Sequence, residues 1–251
     1  MNLVIDQGNS LTKLYLFRAD DLVEKKQFSN SAVGGVMEII KKNGQLDGSI
    51  YSSVGAFESE LEWLLTANSK KYIQLNYLTP IPVSVQYLTP QTLGADRLAA
   101  VVGANFIFEG KNVVVFDIGT AMTIDFVTAK AIYLGGNISP GPRTRFKSLN
   151  QHTARLPLVE PSEEFEFIGN STNSAILNGV MNSVLYEIEN YCIQFAQQYS
   201  NPIAVITGGD SVLFVNKIKN PIFAEPNLVA IGLNRILNYN VSKHLSKPVD
   251  F

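Results

Sequence analysis

Cysteine is nearly absent. Cys192 stands alone among 251 residues, which excludes an internal disulfide and fits a reducing compartment. It falls in a helical run, where a free cysteine reads as a small buried residue before it reads as a nucleophile. Histidine is almost as scarce: His152 has no second histidine near it and no metal-ligand spacing, and His244 is expected at the surface close to the C-terminus. Excess charge of either sign is missing too. Twenty basic residues against 22 acidic ones leave a formal charge of −2 and a pI near 5.8, so nothing global draws the chain to nucleic acid or an anionic membrane. No apolar run approaches membrane-spanning length, and no basic segment with an apolar stretch and cleavage site opens the chain. A soluble cytoplasmic protein is expected. What is present is core-forming material: 46% hydrophobic and 17% charged residues describe a globular chain, and its length suits one large or two smaller domains.

The chain repeats itself. Leu3-Val4-Ile5-Asp6-Gln7-Gly8-Asn9-Ser10-Leu11-Thr12-Lys13 near the start has a counterpart in Val113 to Phe116 followed by Asp117-Ile118-Gly119-Thr120-Ala121-Met122-Thr123. In each, a β-branched run delivers an Asp, then Gly two residues later, then a hydroxyl or amide cluster. Asp6 matches Asp117, Gly8 matches Gly119, Thr12 matches Thr123 and Tyr15 matches Phe126. The half-chain period indicates duplication, with domains at 1–110 and 111–251. Each copy reads as a β-hairpin whose turn offers backbone N–H groups and the side chains of Asn9, Ser10, Thr120 and Thr123 to phosphoryl oxygens. A carboxylate cannot bind phosphate directly, so Asp6 and Asp117 require a cation between themselves and the anion. The plain alternative for a single Asp-x-Gly is an ordinary hairpin turn.

Between the repeats, Ala32 to Lys42 is expected to be a helix with Val33, Val36, Met37 and Ile40 on its apolar side and Gly44 as its stop. Ile50 to Val54 is a strand, and Phe57 to Asn68 a helix in which Trp63 reads as a core anchor. Strand–helix alternation indicates an α/β class. Gly94-Ala95-Asp96-Arg97 opens a strongly apolar helix. Asp96 suits a helix start, whereas Arg97 opposes the dipole there, so the pair is a candidate site for a polar small molecule. Arg143, Arg145, Lys147, His152 and Arg155 form the one basic cluster, which reads as a solvated flap because aromatic residues are not interleaved with it. A helix from about Ser174 to Tyr199 carries Ile176, Val180, Val184, Ile188, Tyr191 and Phe195 at helical spacing, either core or a dimer surface, with Thr172 as a candidate N-cap. Pro202 to Ser211 is a strand, a Gly208-Gly209-Asp210 turn and a helix start that places N–H groups and a positive dipole beside a ligand. The last helix spans about Leu228 to Asn238.

This ordered set resembles type III pantothenate kinase, the first enzyme of coenzyme A synthesis, over nearly the whole chain. Gly94 to Arg97 is its most family-specific element, since Asp-x-Gly turns recur across the acetate and sugar kinase, Hsp70 and actin superfamily. The resemblance implies two ribonuclease-H-like, actin-like ATPase domains with mixed β-sheets flanked by helices and ATP in the interdomain cleft. It implies phosphorylation of pantothenate to 4'-phosphopantothenate. Asp6, Gln7, Gly8, Asn9, Ser10, Leu11, Thr12 and Lys13 would form the first phosphate loop, Gly119, Thr120 and Thr123 the second, and Gly208, Gly209 and Asp210 the adenosine segment. Asp96 would be the general base. Tyr87, Gly94, Ala95, Asp96, Arg97 and Thr172 would contact pantothenate, Thr172 across a homodimer interface. Asp6 would position hydrated magnesium and Asp117 would bind potassium or ammonium. Ser10 departs from the family's usual Thr but keeps the hydroxyl. The rival readings are a bare ATPase, a kinase for another small hydroxylated acceptor, and an accessory or regulatory protein. Gly94 to Arg97 argues against the first two, because a bare ATPase needs no acceptor base.

Overall fold

A computed structural model describes Met1 to Leu245, without the side chains of 243–245, so the expected surface position of His244 lies outside the described residues. The chain divides into two compact units, residues 1–107 with the stretch from Asn227 onward, and residues 108–226.

The first unit contains β1 (Asn2–Gln7), β2 (Thr12–Arg18), β3 (Asp21–Phe28), α1 (Val33–Asn43), β4 (Gly48–Ser53), α2 (Ser59–Asn68), β5 (Tyr72–Gln74), the two-residue β6 (Ser84–Val85) and α3 (Ala95–Ile107). The second contains β7 (Val113–Ile118), β8 (Ala121–Val127), β9 (Ile132–Pro140), α4 (Pro142–Gln151), α5 (Thr172–Gln198), β10 (Ile203–Thr207), α6 (Val212–Val215) and β11 (Phe223–Ala224). The closing helix, α7 (Leu228–Leu245), belongs with the first unit.

The repeat is visible in strand order. In the first unit the strands run β3-β2-β1-β4-β5, antiparallel across β1, β2 and β3 and parallel across β1, β4 and β5. In the second they run β9-β8-β7-β10-β11 with the same directions in the same places. The matched residues need one adjustment. Asp6 lies opposite Lys13 and Gln7 opposite Thr12, whereas Asp117 lies opposite Thr123 and Ile118 opposite Met122. The first turn closes with Gly8 N–H donating to the Leu11 carbonyl and the second with Gly119 N–H donating to that of Ala121, so the first is one residue longer. Beyond the turn, therefore, Lys13 is the structural match of Thr123 and Tyr15 that of Asp125. Matching Thr12 with Thr123 and Tyr15 with Phe126 is out by one, which in a strand reverses the face. Two observations agree: Thr12 and Met122 are both buried, and a bulge falls between Leu16 and Phe17 in one copy and between Phe126 and Val127 in the other.

Alternation along the strands builds the cores. Leu3, Ile5, Leu14 and Leu16 pack with Val36 and Ile39 of α1 and with Leu61, Leu64 and Leu65 of α2. Those leucines leave Trp63 on the other side of the helix, 68% exposed, and it is not the core anchor its size implied. Met37 is likewise exposed, because α1 turns Val36 and Ile39 inward instead. In the second unit Val114, Phe116, Ile118, Met122 and Ile124 meet Ile176, Val180, Val184, Ile188 and Phe195 of α5. This apolar stripe is consumed by its own unit and gives no independent argument for a dimer. Cys192 is buried in that core, and burial, with Glu189 adding to it, pushes its thiol up to about 11, which suits an inert packing role. No described helix is long and apolar enough to cross a membrane.

Candidate active site

In the first unit, the β1–β2 turn and the start of α3 carry the candidate chemistry. Asn9, Ser10 and Leu11 project at the exposed tip, Asp6 and Lys13 are partly buried at its base, and Thr12 is turned into the core. The carboxyl of Asp6 is hemmed in by protein, and burial raises its pKa; Lys13 opposes the rise and the nearby charge of Asp96 adds to it. Two carboxylates and a lysine are thus within electrostatic reach, which connects the first turn to the start of α3.

That start is shaped by Gly94. The Asp96 Oδ1 atom folds back to accept its neighbour's backbone N–H, that of Arg97, at 2.8 Å. A Cβ built at Gly94 would lie 2.4 Å from the same oxygen, so a side chain there is incompatible with this carboxylate position. Arg97 is 5% exposed, and its guanidinium carbon sits 5.8 Å from the centre of the Tyr87 ring, within the range of a cation–π contact. A cation that the helix dipole disfavours is thereby given an aromatic face. Tyr87, Gly94, Asp96 and Arg97 lie together around this helix start. The helix itself is fixed by α7: a Cβ at Gly103 would lie 2.4 Å from the Leu228 carbonyl, and one at Gly232 would lie 1.8 Å from that of Ala99. Only two glycines permit this backbone approach.

Asp6 yields a prediction about stability. A carboxyl whose folded pKa exceeds its unfolded value of 3.8 subtracts stability as pH rises from the unfolded value through the folded one, and the loss is complete above it. Asp6→Asn, which cannot ionise, is expected to raise Tm of the ligand-free protein at pH 7, with the gain vanishing below the unfolded pKa. Thermal melts across pH check this, and a lower Tm for the variant at neutral pH would contradict it.

In the second unit, Asp117 is the penultimate residue of β7, and the glycine turn after β10 closes over it. Gly208 has φ +93°, and a Cβ there would lie 2.4 Å from the Ile118 carbonyl oxygen and 2.5 Å from Asp117 Oδ1. Asp210 donates its backbone N–H to Ile118 at 3.0 Å, and the Ser211 N–H goes to Gly208 at 3.2 Å. These two donors are occupied, and the helix that follows, α6, has only four residues. The turn holds the second hairpin. Thr120 is secured from the other side, its carbonyl accepting the Gly141 N–H at 3.0 Å and the Thr144 hydroxyl at 2.6 Å. Thr123, partly buried, faces Asp117 across the hairpin.

Two sequence expectations change here. Most of the basic segment is helix α4, whose Arg143 and Arg145 are engaged, while His152 and Arg155 lie beyond its end and are exposed. Arg143 donates to Asp210 at 3.0 Å and Glu160 at 3.1 Å, while Arg145 joins the Pro140 carbonyl, Ser139, Ser183 and Glu187. A solvated flap describes neither residue. The cue for these pairs was not local, because Glu160 and Glu187 lie far along the chain. Thr172 is the first residue of α5, exposed, and the N-cap is Ser171, whose hydroxyl accepts the Ser174 N–H in a capping box. Thr172 also borders an open groove of about 750 Å³ with Thr144, Arg145, Ala175, Gly179 and Ser183.

Residues 2–194 match the family model described as type III pantothenate kinase. The chain is similar to a type III pantothenate kinase of Phocaeicola vulgatus, 42% identical over 240 residues that cover 96% of this chain and 99% of the relative. A type III pantothenate kinase of Porphyromonas gingivalis strain W83 is 40% identical over 243 residues, with 96% and 99% covered. Among solved structures, a Campylobacter jejuni protein assigned to a Baf family of transcriptional activators aligns with TM-score 0.63 at 22% identity, covering 96% of this chain and 99% of that one. The activator of 2-hydroxyisocaproyl-CoA dehydratase from Clostridium difficile, solved with ADPNP, aligns with TM-score 0.55 at 12% identity, covering 100% and 99%. At these identities the structures establish the actin-like fold alone.

Proposed function

Because the chain belongs to the type III pantothenate kinase family, we propose that it transfers the γ-phosphoryl group of ATP to the hydroxyl of pantothenate, the first step of coenzyme A synthesis. The observation that carries this reading is the start of α3, where Gly94 makes room for the Asp96 carboxylate beside a buried Arg97 capped by Tyr87. Phosphoryl transfer through a loose transition state asks mainly for positioning and charge neutralisation, with the acceptor's proton leaving late. Asp96 orients the pantothenate hydroxyl and takes its proton. Arg97 and Tyr87, with the Gly94 and Ala95 backbone, hold the acceptor, the guanidinium suiting its carboxylate. The turn from Asp6 to Lys13 and the residues Gly119, Thr120 and Thr123 bind the phosphates, and Gly208 to Asp210 border the nucleoside.

The residues fit a hydrated magnesium ion. Burial and the charge of Asp96 act against ionisation of Asp6 and Lys13 only opposes them, so a cation held through water beside this carboxylate would complete its neutralisation. When bound, it would neutralise charge on the phosphates. Asp117 would hold the monovalent cation. Asp117→Ala is accordingly expected to remove the stimulation of turnover by potassium or ammonium over sodium, measured as initial rates in matched chloride salts. Stimulation of unchanged size would place the cation elsewhere. The protein acts as a homodimer in this reading, with exposed Thr172 offered to the partner's acceptor site. Mass spectrometry of the product tests the whole reading: a phosphate monoester of pantothenate is expected, and unmodified pantothenate after ATP consumption would refute it.

A further inference from the structure

Gln7, the last residue of β1, stands directly before the first turn and is held from two directions, by Tyr51 of β4 and by Val54 just after that strand. Its backbone carbonyl accepts the Val54 N–H at 3.1 Å, and its side-chain Oε1 accepts the Tyr51 hydroxyl at 2.5 Å. Tyr51 is fully buried, with its ring edge-on to Phe57 at a centroid distance of 4.9 Å. The same hydroxyl accepts the backbone N–H of Glu58 at 3.1 Å, and Glu58 is the N-cap of α2. A phenol has one proton to give. Since the Glu58 N–H can only donate, the Tyr51 proton goes to Gln7, and the amide of Gln7 is fixed with Oε1 toward the ring. Alternation places Gln7 on the strand face opposite Asp6, so this arrangement lies outside the carboxylate chemistry described above.

The turn it abuts has little else to orient it. Gly8, Asn9, Ser10 and Leu11 are exposed, and the Gly8 N–H to Leu11 carbonyl bond lies within the turn itself. Where the tip points is therefore decided at its two ends, Gln7 and the buried Thr12.

We propose that Tyr51 is a positioning residue for the first phosphate turn, clamping Gln7 to the start of α2 and so setting how the backbone N–H groups from Gly8 onward meet the nucleotide. The inference rests on the nucleotide role given to this turn under the proposed function. Tyr51→Phe keeps the ring packing and removes the clamp; Gln7→Leu removes it while leaving the Tyr51 bond to Glu58 in place, which guards against a folding defect in the first variant. Affinity for a non-hydrolysable ATP analogue, measured by calorimetry, is expected to weaken about five- to tenfold in each variant. Each variant should still fold cooperatively, with Tm lowered by a few degrees because each leaves a polar group without its partner, and the KM for pantothenate should not change. The double variant should be no weaker than the weaker single, because both singles already remove the shared Tyr51–Gln7 bond. Unchanged nucleotide affinity in a folded Tyr51→Phe protein, or losses that multiply in the double variant, would overturn the clamp. Calorimetry needs no turnover, so wild-type protein that binds the analogue without phosphorylating pantothenate would overturn the acceptor assignment and leave the clamp to be decided by the affinities. Wild-type protein that does not bind the analogue would overturn the nucleotide reading and the clamp together.

Discussion

Asp96→Asn is expected to lower kcat by about 100- to 1000-fold, in the range contributed by a positioned general base, while nucleotide affinity stays near wild type. The substitution is conservative in shape. Asn retains an Oδ1 that can accept the Arg97 N–H, the bond that fixes Asp96 at 2.8 Å, so the start of α3 keeps its form and only the proton acceptor is lost. Calorimetry with an ATP analogue separates binding from chemistry. Turnover within a few-fold of wild type would remove Asp96 as the base and return the motif to a binding role.

Gly208→Ala should have an effect of similar size through geometry alone. At φ +93° a side chain is strained, and its Cβ would be placed against both the Ile118 backbone and the Asp117 carboxylate. Either the turn after β10 moves or the second hairpin does. A displacement near one ångström at a reacting centre costs about 100-fold, so kcat/KM is expected to fall by at least that order, with a lower Tm from the strain. Near-normal kcat/KM would show that the contact between this turn and Asp117 is not needed for activity.

The fold is legible in the sequence where its signals are local and repeated. Two β-branched runs ending in Asp-x-Gly identified both hairpins, and the structure shows the same strand order around each. Gly94 to Arg97 was legible for the same reason: four adjacent residues carry the carboxylate, the guanidinium and the glycine that makes room for them. What depends on turn length or on distant partners is not legible there. One extra residue in the first turn is invisible to residue matching, yet it exchanges Thr12 for Lys13 opposite the Asp of the hairpin. Trp63 has the size of a core anchor, but its place relative to buried Leu61 and Leu65 puts it on the exposed side of α2. Arg143 and Arg145 looked solvated because Asp210 and Glu187 are 67 and 42 residues away in the chain. The Tyr51 to Gln7 bond spans 44 residues and carried no motif at all.

The most direct test of the account is the initial rate of ADP release from magnesium-ATP by the purified protein, with and without pantothenate, in sodium and in potassium or ammonium. The account predicts release that requires pantothenate and is greatest with potassium or ammonium. Release at the same rate without pantothenate would contradict it, leaving an ATPase whose Asp96 and Arg97 serve no acceptor.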